Sequence, residues 1–126
     1  MDSEARLLFE RAENELDLAK SIFILTENKN LQSEIFHLDR TQTFYSSVIT
    51  HSYYCIFYSA KAYLLIKGMK TDAPEIHRKT FEEFSKLVDE GIIDVELLNV
   101  YRSILVRADT LLHIFDLVNE KIPNAR

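Results

Sequence analysis

The sequence predicts an all-α protein, an up-and-down bundle of four or five helices. Three observations predict it. First, residues 50–68 (Thr50 to Gly68) are apolar or small on nearly every side of a helix, and a helix without a solvated face has to lie among other helices. Second, apolar residues recur at spacings of three and four along most of the remaining chain, the period of an amphipathic helix. Third, Gly and Pro number two each, too few for a turn-rich β architecture. At 126 residues the length prior gives one domain over 1–126, and a chain of this size buries roughly two thirds of its unfolded surface. The 47% hydrophobic content argues against disorder. Cys55 is the sole cysteine, so no disulfide forms within the chain, and its place in the apolar run makes it a small core residue.

The elements follow in order. The first helix spans about 3–26, with Ser3 as its N-cap and Leu8, Ala12, Leu16, Ala19 and Phe23 as its apolar stripe. Asn28-Lys29-Asn30 closes it. In 31–42, Leu31, Ile35, Phe36 and Leu38 suit one short helix packed on the bundle, with 39–43 as the exit. The second helix, about 43–67, has a small stripe (Val48, Ser52, Cys55, Ser59, Ala62, Ile66) beside a bulky one (Ile49, Tyr53, Ile56, Phe57, Ala60, Leu64), as interlocked helix packing requires. Gly68 supplies its left-handed stop. Thr71 or Asp72 is then expected to cap a third helix with Pro74 in its first turn. That helix carries Ile76, Thr80, Phe81, Phe84, Leu87 and Val88 and ends at Gly91. Asp94 caps a fourth helix reaching toward Lys121. Its expected core stripe is Leu97, Tyr101, Ile104, Ala108, Leu111, Phe115 and Val118, widened by Leu98, Leu105 and Leu112.

Several function classes are set aside at once. The net charge of −5 is the opposite of a basic nucleic-acid footprint, and no DNA partner is expected. Lys61 and Lys67 interrupt the longest apolar stretch, so no membrane span is expected. The opening Met1-Asp2-Ser3-Glu4 is acidic and polar rather than a leader, which makes a cytoplasmic location the expectation. No pair of histidines lies at ligand spacing, and there is neither a Gly-rich phosphate loop nor a serine elbow. Neither a metal nor a cofactor is expected.

Candidate chemistry gathers on the fourth helix. Measured from Tyr101, Asp109, Arg102 and His113 fall at about 80°, 100° and 120°, one ridge beside the core stripe. Asp109 and His113 stand four apart, so the carboxylate can orient or charge the imidazole. The ridge is either an exposed ion pair or a site. As a site, His113 is a general acid or base and Arg107 or Arg102 anchors a phosphate, the two roles that metal-free phosphodiester cleavage needs. Val106, Ile114 and Leu117 form a second apolar patch with Arg107 at its edge, expected to meet a partner chain and make a homodimer. Two further binding candidates are His51 with Tyr54 three residues on, and His77-Arg78-Lys79 at the positive start of the third helix. Tyr53, Tyr54, Tyr58 and Tyr63 suit either base stacking or interior packing.

The run Thr50-His51-Ser52-Tyr53-Tyr54-Cys55-Ile56-Phe57-Tyr58-Ser59-Ala60-Lys61-Ala62, followed by Leu64-Leu65 and Lys67-Gly68, resembles the signature helix of HEPN domains. His77 with Phe84 seven residues on, and Ala12, Glu13, Leu16, Ala19 and Lys20 in the first helix, extend the resemblance over most of the chain. It implies a helical bundle, usually dimeric, often encoded beside a minimal nucleotidyltransferase as a toxin–antitoxin pair. It also implies RNA or a nucleotide as ligand. Many members are RNases whose Arg and His, with four to six residues between them, meet at the dimer interface. Arg107 and His113, with five residues between them, match that spacing, and Asp109 is placed to tune the histidine. Ala108 stands where the family commonly has a polar residue. Three readings follow: a dimeric interaction or nucleotide-binding module, a metal-independent endoribonuclease, and a helical scaffold subunit.

Overall fold

The computed structural model describes residues 2–113. Helix α1 (Ser3–Glu27) is capped by Asp2 rather than Ser3: the Asp2 carboxylate accepts the Glu4 N–H at 3.4 Å and faces the positive helix end. Its buried stripe is Ala5, Leu8, Ala12, Ala19 and Thr26. Alanines let a neighbouring backbone come close, and α1 packs along α2 (Tyr45–Ile66) and no other long helix among the described residues. Leu16 and Phe23, expected in the core, are exposed because the alanine line beside them makes the contact.

The connection between these helices holds a single π-helical turn, Leu31–Ile35, instead of a short packed helix. Its centre is polar. The wholly buried Gln32 side chain donates from Nε2 to the carbonyls of Asp39 (2.6 Å) and Gln42 (3.0 Å) and accepts from Lys29 Nζ at 3.1 Å. Ile35 and Phe36, expected to pack, are exposed. The Phe44 N–H donates to the Thr26 hydroxyl at 2.9 Å, which ties the start of α2 to the end of α1.

Helix α2 is the element that the other long helices share. Tyr53, Phe57, Ala60, Ala62 and Leu64 are buried. Of its small stripe Ala62 is enclosed, while Cys55 and Ser59 are half-buried. Gly68, at φ 86°, closes the helix: Met69 N–H reaches Leu64 O at 2.9 Å and Gly68 N–H reaches Leu65 O at 3.0 Å.

Helix α3 (Ile76–Asp89) begins differently from the expectation. Glu75, in the left-handed region at φ 54°, is its N-cap, and Pro74 precedes the helix after a cis peptide bond. Thr71 is buried, and its hydroxyl shares a 2.7 Å hydrogen bond with that of Thr80. Helix α4 (Val95–Leu112) starts as predicted, with the Asp94 carboxylate accepting the Glu96 N–H at 2.9 Å. It stops sooner than predicted: His113 is left-handed at φ 53°, its N–H on the Asp109 carbonyl at 2.8 Å. The remainder of the expected helix, to Lys121, lies outside the described residues.

The face that α4 buries is rotated by one residue from the expected stripe. Leu98, Tyr101, Leu105, Ala108 and Asp109 are buried against α2 and α3, whereas Leu97, Val100 and Leu111 are 57%, 55% and 41% exposed. Tyr101, Ala108, Leu98 and Leu105 are buried as expected, and Ile104 and Leu112 pack half-buried against the core, so Leu97 and Leu111 are the expected core positions that turn outward. Val106 packs half-buried against the core instead of facing outward; Ile114 and Leu117 lie outside the described residues. The result is an all-helical bundle. Among the described residues no helix is long and apolar enough to cross a membrane, and no group of three or more His, Cys, Asp or Glu side chains is placed to hold a metal.

Candidate functional site

The residues singled out by sequence separate into three places. The first is the interior. His77 turns inward from the start of α3, its Nδ1 2.7 Å from Tyr53 Oη and its ring 4.3 Å from that of Phe57. Tyr54 lies 6.0 Å from the same ring. Burial lowers the His77 pKa below its usual value. Burial also raises that of Tyr53, with smaller contributions from Tyr101, Tyr54 and Asp109. In the neutral ring with its proton on Nε2, Nδ1 accepts from the Tyr53 hydroxyl.

The expected anion cradle at His77-Arg78-Lys79 is therefore dispersed. His77 points into the bundle, Arg78 Nε lies 3.6 Å from the Glu75 carboxylate, and Lys79 Nζ donates to the Asp72 carbonyl at 3.2 Å. The sign of the resulting pH dependence is fixed. A histidine whose folded pKa is depressed contributes fully above its unfolded value, and that contribution fades as pH falls through about 6.5 toward the folded value. The melting temperature is expected to fall between about pH 7.5 and about pH 5, and His77→Gln is expected to flatten the fall. Equal slopes for the two proteins in thermal melts would contradict this.

The second place is the seam of α1 and α2. His51 Nδ1 is 2.6 Å from Glu15 Oε2, so the imidazole links the two helices rather than pairing with Tyr54. Arg11 stands over the Tyr58 ring at 5.9 Å and Lys67 over the Tyr63 ring at 5.5 Å. Those two faces are occupied by cations, and Tyr53 is enclosed, so the tyrosine run serves packing rather than a stacking platform. Burial raises the pKa of Tyr54 and of the Cys55 thiol, and the Glu15 carboxylate adds to both shifts.

The third place is α4, where the predicted ridge is not formed. Asp109 is 4% exposed and belongs to the interior near Tyr53. Arg102 lies half-buried with its guanidinium 5.9 Å from the Phe81 ring centre and Nη1 donating to Asn99 Oδ1 at 3.2 Å. Arg107 and His113 both reach solvent. His113 meets Asp109 through the main chain, its N–H donating to the Asp109 carbonyl.

What the sequence reading missed is the outward stripe of α4. Leu97, Val100, Ile104, Arg107 and Leu111 repeat at spacings of 3, 4, 3 and 4 and fall within roughly 80° of arc at 100° per residue; four of them are exposed, and Ile104, half-buried, also touches the core at the edge of the stripe. Apolar side chains at this spacing have the pattern of a helix–helix seam. Two clefts adjoin it. One, of about 480 Å³, lies between Phe9, the Cys55–Ser59 side of α2, and Ile93, Asp94, Leu97 and Val100. The other, of about 490 Å³, is lined by Asn99, Val100, Ser103, Ile104 and Arg107. The signal was present as two interleaved leucine repeats, of which only one can face the bundle. No family model matches the chain, and neither a characterised protein nor a solved structure matches it.

Proposed function

We propose that this chain is a small interaction module of the HEPN type that works as a homodimer joined along α4. In this reading it partners a minimal nucleotidyltransferase in a toxin–antitoxin pair, and the assembled surface takes RNA or a nucleotide. The observation that carries the proposal is the bare stripe of α4: Leu97, Val100 and Leu111 lie largely in water while their neighbours Leu98 and Leu105 are enclosed. Exposed apolar side chains in heptad register mark a helix–helix contact. The residues that carry the HEPN resemblance, Tyr53, Phe57, His77 and Phe84, are chiefly builders of the interior. They support the bundle type and leave chemistry to the α4 surface. Light scattering at tens of micromolar tests the proposal, with twice the 14.7 kDa chain mass as the expected result. A monomer would refute it.

A second reading, a metal-independent endoribonuclease, is favoured by one observation: Arg107 and His113 are both at solvent toward the C-terminal end of α4. It expects RNA cleavage that persists in EDTA and falls by about 100-fold or more in His113→Ala. Cleavage undiminished in that variant would end it. With Asp109 in the interior, the histidine would act without that carboxylate beside it at the surface.

A further inference from the structure

The outward stripe of α4 is complementary to itself in one direction only. Resting on the dimer reading above, we infer that two copies pair with their α4 helices antiparallel. Each Arg107 then lies against the first turn of the partner helix, beside Glu96 and Asp94.

Four of the five stripe positions are apolar, and the fifth is the cation Arg107. A parallel pairing would set Arg107 against Arg107, like charges within an apolar contact. An antiparallel pairing about the midpoint of Val100 and Ile104 avoids this. Val100 then faces Ile104 of the second copy, and Leu97 faces its Arg107. At 1.5 Å per residue, Glu96 and Asp94 lie about 1.5 Å and about 4.5 Å along the axis from the point opposite that guanidinium, within the reach of an arginine side chain.

Both acids are exposed, and neither Glu96 nor Arg107 has an ion pair within its own chain among the described residues. The 480 Å³ cleft has Asp94 and Ile93 at its α4 end, next to Leu97 and Val100. The same register carries Leu111 of the second copy to Ile93, so that this leucine and the methylenes of Arg107 cover the cleft while the guanidinium stays at the acidic rim. A chain carrying −5 gains from such a cross-pair, since two acidic copies otherwise repel.

Charge reversal tests the register. Dimer dissociation constants are measured by analytical ultracentrifugation for the native chain, R107E, E96R, the R107E/E96R double variant and an equal mixture of the two single variants. Circular dichroism checks that each remains helical, as exposed positions should. Each single variant is expected to weaken the dimer about tenfold or more, since every dimer holds two such contacts. The double variant is expected to return to within about threefold of the native value. The mixture is expected to form a heterodimer tighter than either single homodimer, because each copy restores the other's missing charge. A native dimer insensitive to both changes, or one that neither the double variant nor the mixture rescues, overturns the register and leaves the α4 seam standing. A monomeric native chain overturns both.

Discussion

Replacing Val100 with aspartate is expected to convert the proposed dimer to a monomer while leaving the helical content of the chain intact. Val100 is 55% exposed, lies on the outward stripe and borders both clefts. In the isolated chain the new carboxylate stays hydrated and costs little. In the dimer it enters the apolar seam twice, once from each copy, opposite Ile104 of the other. Desolvating two carboxylates there is expected to raise the dissociation constant by about tenfold or more, Arg107 of the second copy offsetting part of the cost. Val106→Asp is the informative contrast. The outward face expected from sequence included Val106, but that side chain packs against the Tyr53–Leu105 core. Its aspartate is therefore expected to reduce stability by about 1–3 kcal/mol, a loss seen in a denaturant titration rather than in the association constant. If Val106→Asp dissociated the dimer and Val100→Asp did not, the outward face would be the one first read from the sequence.

Leu105→Ala is expected to destabilise the fold by about 2–5 kcal/mol, the cost of removing a buried leucine side chain and leaving a cavity. Leu105 has no exposed surface and lies in the cluster of Tyr53, Phe57, Phe84 and Tyr101. Leu97→Ala, at a position 57% exposed, is expected to change the stability of the monomer by less than about 0.5 kcal/mol. Chemical denaturation at protein concentrations below the dissociation constant compares the two. The pair tests the rotation of α4 directly, because sequence periodicity assigns both leucines to the same core. Comparable losses would mean that the helix is turned differently.

That rotation shows where a single sequence stops being legible. The four helices, the Asp94 cap and the left-handed glycines at 68 and 91 follow from local physics: period, capping oxygens and freedom at positive φ. Which of two adjoining leucine lines faces inward does not. Leu97/Ile104/Leu111 and Leu98/Leu105/Leu112 have the same spacing, and Tyr101 and Ala108 serve either. Only the aromatic wall of α2 and α3 decides, through contacts between residues some fifty positions apart, such as Tyr53 with Tyr101.

The same reason hid the fate of His77. Beside Arg78 and Lys79 it looks like part of a basic turn, but its partner Tyr53 is supplied by another helix. Asp109 looked like one member of an exposed triad because helical angles alone cannot say which arc is wet. Between α1 and α2, apolar Ile35 and Phe36 suggested packing, whereas the segment is organised by an amide that hydropathy counts as surface.

That amide makes the link between α1 and α2 vulnerable to a very small lesion. Deamidation of Gln32 would exchange one NH₂ for one oxygen and leave the side chain the same size. The two main-chain carbonyls now held at 2.6 and 3.0 Å would then face a negative charge instead of a donor. The loop over 39–42 would lose both of its amide donors and keep only its cationic ones, Lys29 on the Gln42 carbonyl and Arg40 on the π-turn. Chemical ageing at one enclosed glutamine would thus loosen the joint between the first two helices and leave it to Lys29 and to the bond between Thr26 and Phe44.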